Sequence, residues 1–208
     1  MVIHISVLLI KEKKMKSNKP KYQQIIEAAV KVIAENGYHA SQVSKIAKEA
    51  GVADGTIYLY FKNKEDVLVS VFEEKMGQFI DKIAKATSEQ SDAESKLRVL
   101  INMHFSQLEE NPDLAIVTQL ELRQSNYTLR MQINNVLKAY LTVIDEVIAE
   151  GINNKQFRDD INPALIRQMI FGTLDEVVTN WIMKDRKYKL GDQAEEVHKF
   201  LKQGLKLI

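Results

Sequence analysis

SQVSKIAKEAGVADGTIYLYF, residues 41–61, decides how the rest of this chain is read. At helical spacing Val43, Ile46, Ala47 and Ala50 form one narrow apolar stripe, with Ser44, Lys45, Lys48 and Glu49 facing away from it. Gly51 stands where that helix must stop, because a residue at positive φ is least strained without a Cβ. Val52 plugs the turn, and Asp54-Gly55-Thr56 opens a second short helix that the pattern carries on to Phe61. Two short helices across a Gly-containing turn make a helix-turn-helix, whose second helix can enter the major groove of DNA. Gly55 weakens a helix by ~0.8–1 kcal/mol relative to Ala, yet its missing side chain lets the backbone come close to DNA. Thr56, Tyr58 and Tyr60 offer hydroxyls to phosphates or base edges. Ile57 and Phe61, one turn apart, read as core.

The runs IAKEAGV (46–52) and GTIYLYF (55–61), followed by Lys64-Glu65 and Leu68, resemble the DNA-binding signature of TetR-family bacterial transcription regulators. The resemblance covers roughly residues 20 to 70. It implies an all-α homodimer with an N-terminal three-helix DNA-binding head and a C-terminal helical body for ligand binding and dimerisation. It assigns to DNA the residues Ser41, Gln42, Ser44, Lys45, Gly55, Thr56, Tyr58, Leu59, Tyr60 and Lys64, the last as a phosphate contact. Within the family, ENGYH (35–39), VADGTIYLY (52–60) and QLELRQSN (119–126) are most similar to the branch that represses fatty-acid degradation. That branch is released from its palindromic operator by long-chain acyl-CoA, so the resemblance implies this effector and no cofactor. Ala53 and Asp54 depart from the family pattern, which favours a hydroxyl residue followed by a variable, often basic one. An acidic Asp54 has to avoid phosphates.

Charge is distributed to match a head and a body. Residues 1–64 carry eleven Lys against five acids, whereas the remainder carries 18 basic and 23 acidic residues, within a net charge of +1. A basic head on an acidic body suits nucleic-acid binding at one end only. At 208 residues the chain can build a sizeable core. It has no Cys, which excludes disulfides and thiol ligands and is compatible with the cytoplasm. Three Pro and eight Gly favour long helices, and no segment alternates with period two, so an all-α fold is expected.

About nine helices can be counted. The first spans about Pro20 to Asn36 with Gly37 as its cap, and Asn63-x-x-Asp66 starts a long fourth helix to about Thr87. Ser91-x-x-Glu94, Asn111-Pro112, Asn162-Pro163 and Asp192-x-x-Glu195 mark further starts, and a helix from about Tyr127 is expected to stop at Gly151. The chain thus divides into a leader (1–14), a DNA-binding domain (15–62) and a ligand-binding and dimerisation domain (63–208). The fourth helix is expected to be the main mechanical link between head and body. Lys16, Lys19 and Lys21 form either a phosphate-binding arm or a solvated tail. The helix holding Ile166, Met169, Ile170, Phe171, Leu174, Val177, Val178, Trp181 and Ile182 is apolar on more than one face. With Val197, Leu201 and Leu205 of the last helix it predicts a four-helix dimer interface.

Candidate residues for an acyl chain are Met103, Phe105, Leu108, Leu120, Met169, Phe171 and Trp181, with Arg123 and Arg130 for a phosphorylated head group. Leu122, Met131 and Tyr140 share the same helices, and Arg98 and Arg167 are further cations. A dry, Met-lined tunnel suits such a chain, although plain core packing and solvated cations give the same pattern. His104 on its apolar stripe reads as a hydrogen-bonded core histidine. Enzymatic chemistry has no footing: HExxH, P-loop and GxSxG motifs are missing, and the four His stand apart at 4, 39, 104 and 198. No metal is expected. Two alternatives stay open, a regulator of another operon with a different hydrophobic ligand and a helical lipid-binding protein.

The leader MVIHISVLLIKEKK is too short to span a bilayer, and its positive charges follow the apolar run instead of preceding it as in a secretory signal. Lys11-Glu12 can be encoded by AAGGAG, a ribosome-binding sequence, so Met15 reads as the start, the alternative being that residues 1–14 are a real but disordered tail. A chain beginning at Met15 is therefore expected to match the full chain in DNA affinity and in unfolding free energy. A loss above about 1 kcal/mol in denaturant unfolding, beyond the usual range for surface changes, would mean that the leader packs.

Overall fold

A computed structural model describes residues 19–206, which form nine α-helices and no strand. The leader and Lys16 lie outside the described residues. Helix α1 (Pro20–Asn36) begins with Pro at its first position and ends at Gly37, whose φ of 73° lets its N–H reach the Ile33 carbonyl. Helix α2 (Val43–Glu49) ends before Gly51, at φ 63°. Helix α3 (Asp54–Tyr58) is shorter than the sequence pattern predicts. Past Tyr58, the N–H groups of Leu59 and Tyr60 bond to the Thr56 and Ile57 carbonyls three residues back, a tighter turn that swings Phe61 into the core. Ile25, Ile26, Ile46, Ala47, Ile57 and Phe61 are buried together as the centre of this three-helix head.

The long helix α4 runs as Lys64–Val71, a π turn over Phe72–Met76, and Gly77–Ser88. Its start is a reciprocal box: Asn63 Oδ1 accepts from Asp66 N at 2.8 Å, and Asp66 Oδ2 accepts from Lys62 N at 2.9 Å. The π turn was not legible in the pattern. It inserts an extra residue between the buried side chains of Phe72 and Met76.

The body comprises α5 (Ala93–Glu110), α6 (Pro112–Glu121), α7 (Tyr127–Asn153), α8 (Pro163–Met183) and α9 (Ala194–Leu205). Asn162 caps α8 as expected, accepting from Ala164 N. Other boundaries differ from the sequence reading. Helix α5 is capped by Asp92, not Ser91, because the Asp92 carboxylate accepts from both the amide and the hydroxyl of Ser95. Asn111 turns its amide back to the Gln107 carbonyl instead of capping α6. A 3-10 turn, Gly191–Gln193, precedes α9, so Asp192 is not its cap. Helix α7 continues past Gly151 to Asn153; that glycine is required because an added Cβ would overlap the Phe157 ring.

Helices α8 and α9 both rest on α5, and α7 packs against α4, α5 and α8. The head is not joined to the body through α4 alone. Helix α1 packs along α6, and the Tyr38 N–H just beyond α1 donates to Glu121 Oε1 at the end of α6, 2.9 Å away in a buried position. The head therefore has two attachments, where the sequence reading gave one.

Candidate functional site

Gly55 and Tyr58 of α3 and Leu59 just after it fall one turn apart on a single face, opposite Ile57 and Phe61. Tyr58 is 58% and Leu59 72% exposed, an outward aromatic and aliphatic pair that no packing within the protein explains. Thr56 and Tyr60 are half-buried at the edges of this face, the Tyr60 ring lying edge-on to Tyr22. Gln42, Ser44 and Lys45 on α2 are exposed and extend the surface. This surface can offer hydroxyls, an ammonium and an apolar tip, the groups that contact phosphates, base edges and a thymine methyl.

Two of the sequence-assigned residues behave otherwise. Ser41 is fully buried, and its hydroxyl is committed to the Val32 carbonyl at 3.1 Å and the Gly37 carbonyl at 2.7 Å. It fastens α2 to the end of α1 and presents no surface to DNA. Lys64 is half-buried, with its ammonium donating to the His39 carbonyl at 2.9 Å and lying 4.5 Å from the Tyr38 ring centre. Burial lowers its pKa, opposed in part by the nearby Glu121 carboxylate. Lys64 thus holds the α1–α2 turn, and only its remaining N–H groups are left for a phosphate.

The body encloses a cavity between α4 and helices α5 to α8. Met76 and Phe79 of α4 form one wall, His104 and Leu108 of α5 another, Leu114, Thr118, Gln119 and Leu122 of the α6 segment a third. Leu137 and Tyr140 of α7 and Phe171 and Asp175 of α8 close it. Its volume is about 30 Å³, enough for one water molecule. His104 Nδ1 lies 2.8 Å from the Tyr140 hydroxyl, so the histidine is hydrogen-bonded as expected, but it also lines the cavity. Burial depresses the imidazole pKa to about 3 and raises that of the Tyr140 hydroxyl, so both stay neutral at ordinary pH.

Of the ligand candidates, Leu108 and Phe171 line this cavity, and Arg123 reaches its edge by bonding Asp175 Oδ2 at 2.5 Å. The rest are placed elsewhere. Phe105 and Trp181 are core, the Trp181 indole donating to the Tyr188 carbonyl, and Met103 is half-buried against the same core. Leu120 is 46% exposed on the outer side of α6. Met169 is 56% exposed on the outer face of α8, because the helix turns its Ile166, Ile170 and Leu174 edge inward. Arg130 bonds the Gln124 carbonyl and lies over the Tyr127 ring, outside the cavity. Arg98 and Arg167 are paired with Glu195 and Asp145. Met76, Phe79, Thr118 and Asp175 were not singled out in the sequence as ligand contacts. Alternation of apolar residues cannot tell a cavity wall from a core.

An open apolar groove of about 920 Å³ runs between α8 and α9. Met169 and the 75% exposed Phe200 flank it, and Leu201 and Leu205 are buried at its base. Among the described residues no group of His, Asp or Glu could hold a metal ion, and no helix is long and apolar enough to cross a membrane.

Residues 25–71 match the family of bacterial regulatory proteins called the tetR family, and residues 72–204 match the C-terminal region of YsiA-like proteins. A fatty acid metabolism regulator protein of Bacillus subtilis (strain 168) is 57% identical over 191 residues, which span 92% of this chain and 98% of that protein. The structure of the fatty acid degradation regulator FadR from Bacillus halodurans superposes with a TM-score of 0.85 at 62% identity, covering 89% of this chain and 100% of that one. That of the transcriptional regulator FadR from Bacillus subtilis, solved in complex with stearoyl-CoA, gives 0.86 at 57% identity, covering 88% and 99%.

The depressed His104 pKa has a consequence for stability. In the unfolded chain the imidazole takes up its proton near pH 6.5, whereas in the folded chain it does so only near pH 3. Its contribution is therefore complete above pH 6.5 and is lost as pH falls toward 3. Over that window the wild-type unfolding free energy is expected to fall more steeply than that of His104→Gln, by about 1.4 kcal/mol per pH unit. Parallel slopes in urea titrations at several pH values would show that the folded imidazole is readily protonated.

Proposed function

Because the chain belongs to the TetR family of bacterial regulatory proteins, we propose that it is a cytoplasmic homodimeric repressor of fatty-acid degradation genes, released from a palindromic operator by long-chain acyl-CoA. The observation that carries the release mechanism is the size and position of the cavity. At about 30 Å³ it is far below the ~300–1,000 Å³ of ligand pockets, so an acyl chain enters only by moving the walls apart. Two of those walls, α4 and α6, are the attachments of the head. Unbranched Met76, the last residue of the π turn, suits a wall that must give. The stearoyl-CoA held by the Bacillus subtilis relative supports the choice of effector.

The remaining parts follow from the same reading. Residues 15–62 serve as the DNA-binding domain and 63–208 as the ligand-binding and dimerisation domain. The α8–α9 groove takes the equivalent groove of a second copy, so that Met169 and Phe200 become interface residues. Two heads in one dimer then meet half-sites about 34–36 Å apart, one turn of DNA, or a multiple of it. The α3 face leads recognition, with Gln42, Ser44 and Lys45 of α2 and the free N–H groups of Lys64 on phosphates. Arg123, exposed and paired with Asp175 of the cavity lining, is the cation we assign to the phosphorylated head group. A second cleft, between α4 and α7, is lined among the described residues by Glu65, Asp66 and Glu73 with Lys62, a negative balance that would repel phosphates.

Gel shifts on the duplex upstream of the chain's own gene test the proposal. Wild-type protein is expected to bind with steep salt dependence and to be displaced by stearoyl-CoA. Tyr58→Phe and Leu59→Ala should each weaken binding about fivefold to 150-fold without changing the thermal midpoint, in line with ~1–3 kcal/mol for a base contact. Unchanged affinity in both variants would remove the α3 face from DNA, and indifference to stearoyl-CoA would remove the effector.

A further inference from the structure

Among the described residues that line the body cavity, one polar atom has no partner in the protein: Nε2 of His104. The other polar groups of the wall are engaged. The Thr118 hydroxyl donates to the Leu114 and Ala115 carbonyls, and Asp175 is held by Arg123. Gln119, with its amide turned to suit its neighbours, bonds Asp175 and Thr179. The His104 ring cannot swing away to find another partner. It is wedged edge-on against Phe79 and Phe105, with centroids 5.4 and 5.8 Å away, and is bonded through Nδ1 to Tyr140.

The position of its proton follows from counting unpaired groups. If the Tyr140 hydroxyl donates to Nδ1, the imidazole carries its proton on Nε2 and one buried donor is left unpaired. If Nδ1 donates instead, Nε2 is a bare acceptor and the phenolic proton is also unpaired, two buried losses in place of one. The first arrangement is the less costly, so His104, a residue of the cavity wall, carries a neutral N–H donor that is buried without a partner.

We propose that His104 Nε2–H binds the carbonyl oxygen of an acyl thioester in this cavity, and that Tyr140 is the positioning residue that fixes the donor. The inference rests on the acyl-CoA reading above. A neutral donor suits a neutral acceptor. A free fatty acid would bring a carboxylate beside that of Asp175 into an apolar enclosure, where His104 resists the protonation that could compensate it. An alkyl chain without a carbonyl would leave the N–H unpaired, as it is in the free protein, and gain nothing from it. His104 thus lets the cavity distinguish an activated acyl group from other long hydrocarbons.

Calorimetry on the full chain with stearoyl-CoA and with S-octadecyl-CoA, the thioether that lacks only the carbonyl oxygen, tests the proposal. Wild type is expected to bind the thioester about tenfold more tightly. His104→Phe should bind both ligands alike, with its affinity for the thioether close to that of wild type, and Tyr140→Phe should show a reduced preference. Equal affinity of wild type for the two ligands would overturn the role of His104 and leave the acyl-CoA reading intact. So would an undiminished preference in folded His104→Phe. No binding of either ligand to wild type would instead overturn the acyl-CoA reading and this inference with it. The wild-type pair decides the matter even if a variant fails to fold.

Discussion

A single buried hydrogen bond sets the head against the body: the Tyr38 N–H on the Glu121 carboxylate, 2.9 Å apart. The second oxygen of Glu121 accepts from the Gln124 amide at 2.5 Å, so the carboxylate is satisfied within the protein. Lys64, at the first turn of α4, lies over the Tyr38 ring and close enough to Glu121 to feel its charge. The end of α1, the start of α4 and the end of α6 therefore meet at one residue. Withdrawing the carboxylate would leave a buried N–H unpaired, which costs ~1–3 kcal/mol. Coupling between two ligand sites in a protein is of the same size.

The same α6 segment faces the cavity through Thr118, Gln119 and Leu122. An acyl chain needs about ten times the space the cavity offers, so its entry has to displace α6, α4 or both. Packed interiors do not stretch smoothly; they change between arrangements. The π turn of α4 is one place where such a change can start, because its loosened ladder lies between Phe72 and Met76, beside the cavity. In a dimer a small tilt of each head is magnified at the DNA, since two recognition helices must match one fixed groove spacing. Under the proposed function, binding energy in the body would thereby be converted into a mismatch at the operator.

Much of this was legible in the sequence, and for identifiable reasons. Gly37 and Gly51 announced their helix ends because positive φ favours glycine, and Asn63 and Asn162 announced starts because their side chains accept from the next amides. The helix-turn-helix was readable from apolar spacing. What spacing could not supply was the distinction between residues of like polarity. Ser41 looks like a surface hydroxyl, yet two carbonyls in the α1–α2 turn claim it. Met169 and Phe171 are two residues apart and point to opposite sides of α8, one to the outer groove and one to the cavity. Glu121 looks like a solvated charge on α6, and only its approach to Tyr38, 83 positions away in the chain, reveals its use.

Ligand and DNA must oppose each other through the head attachments if the account is right, and the size of that opposition can be measured from either side. Titration of stearoyl-CoA into the free protein and into the protein–operator complex, by calorimetry at one salt concentration, measures it directly. Affinity in the complex is predicted to be weaker by about fivefold to 150-fold, the range of a 1–3 kcal/mol coupling. Equal affinity in the two forms would contradict release by the ligand, however tightly it bound.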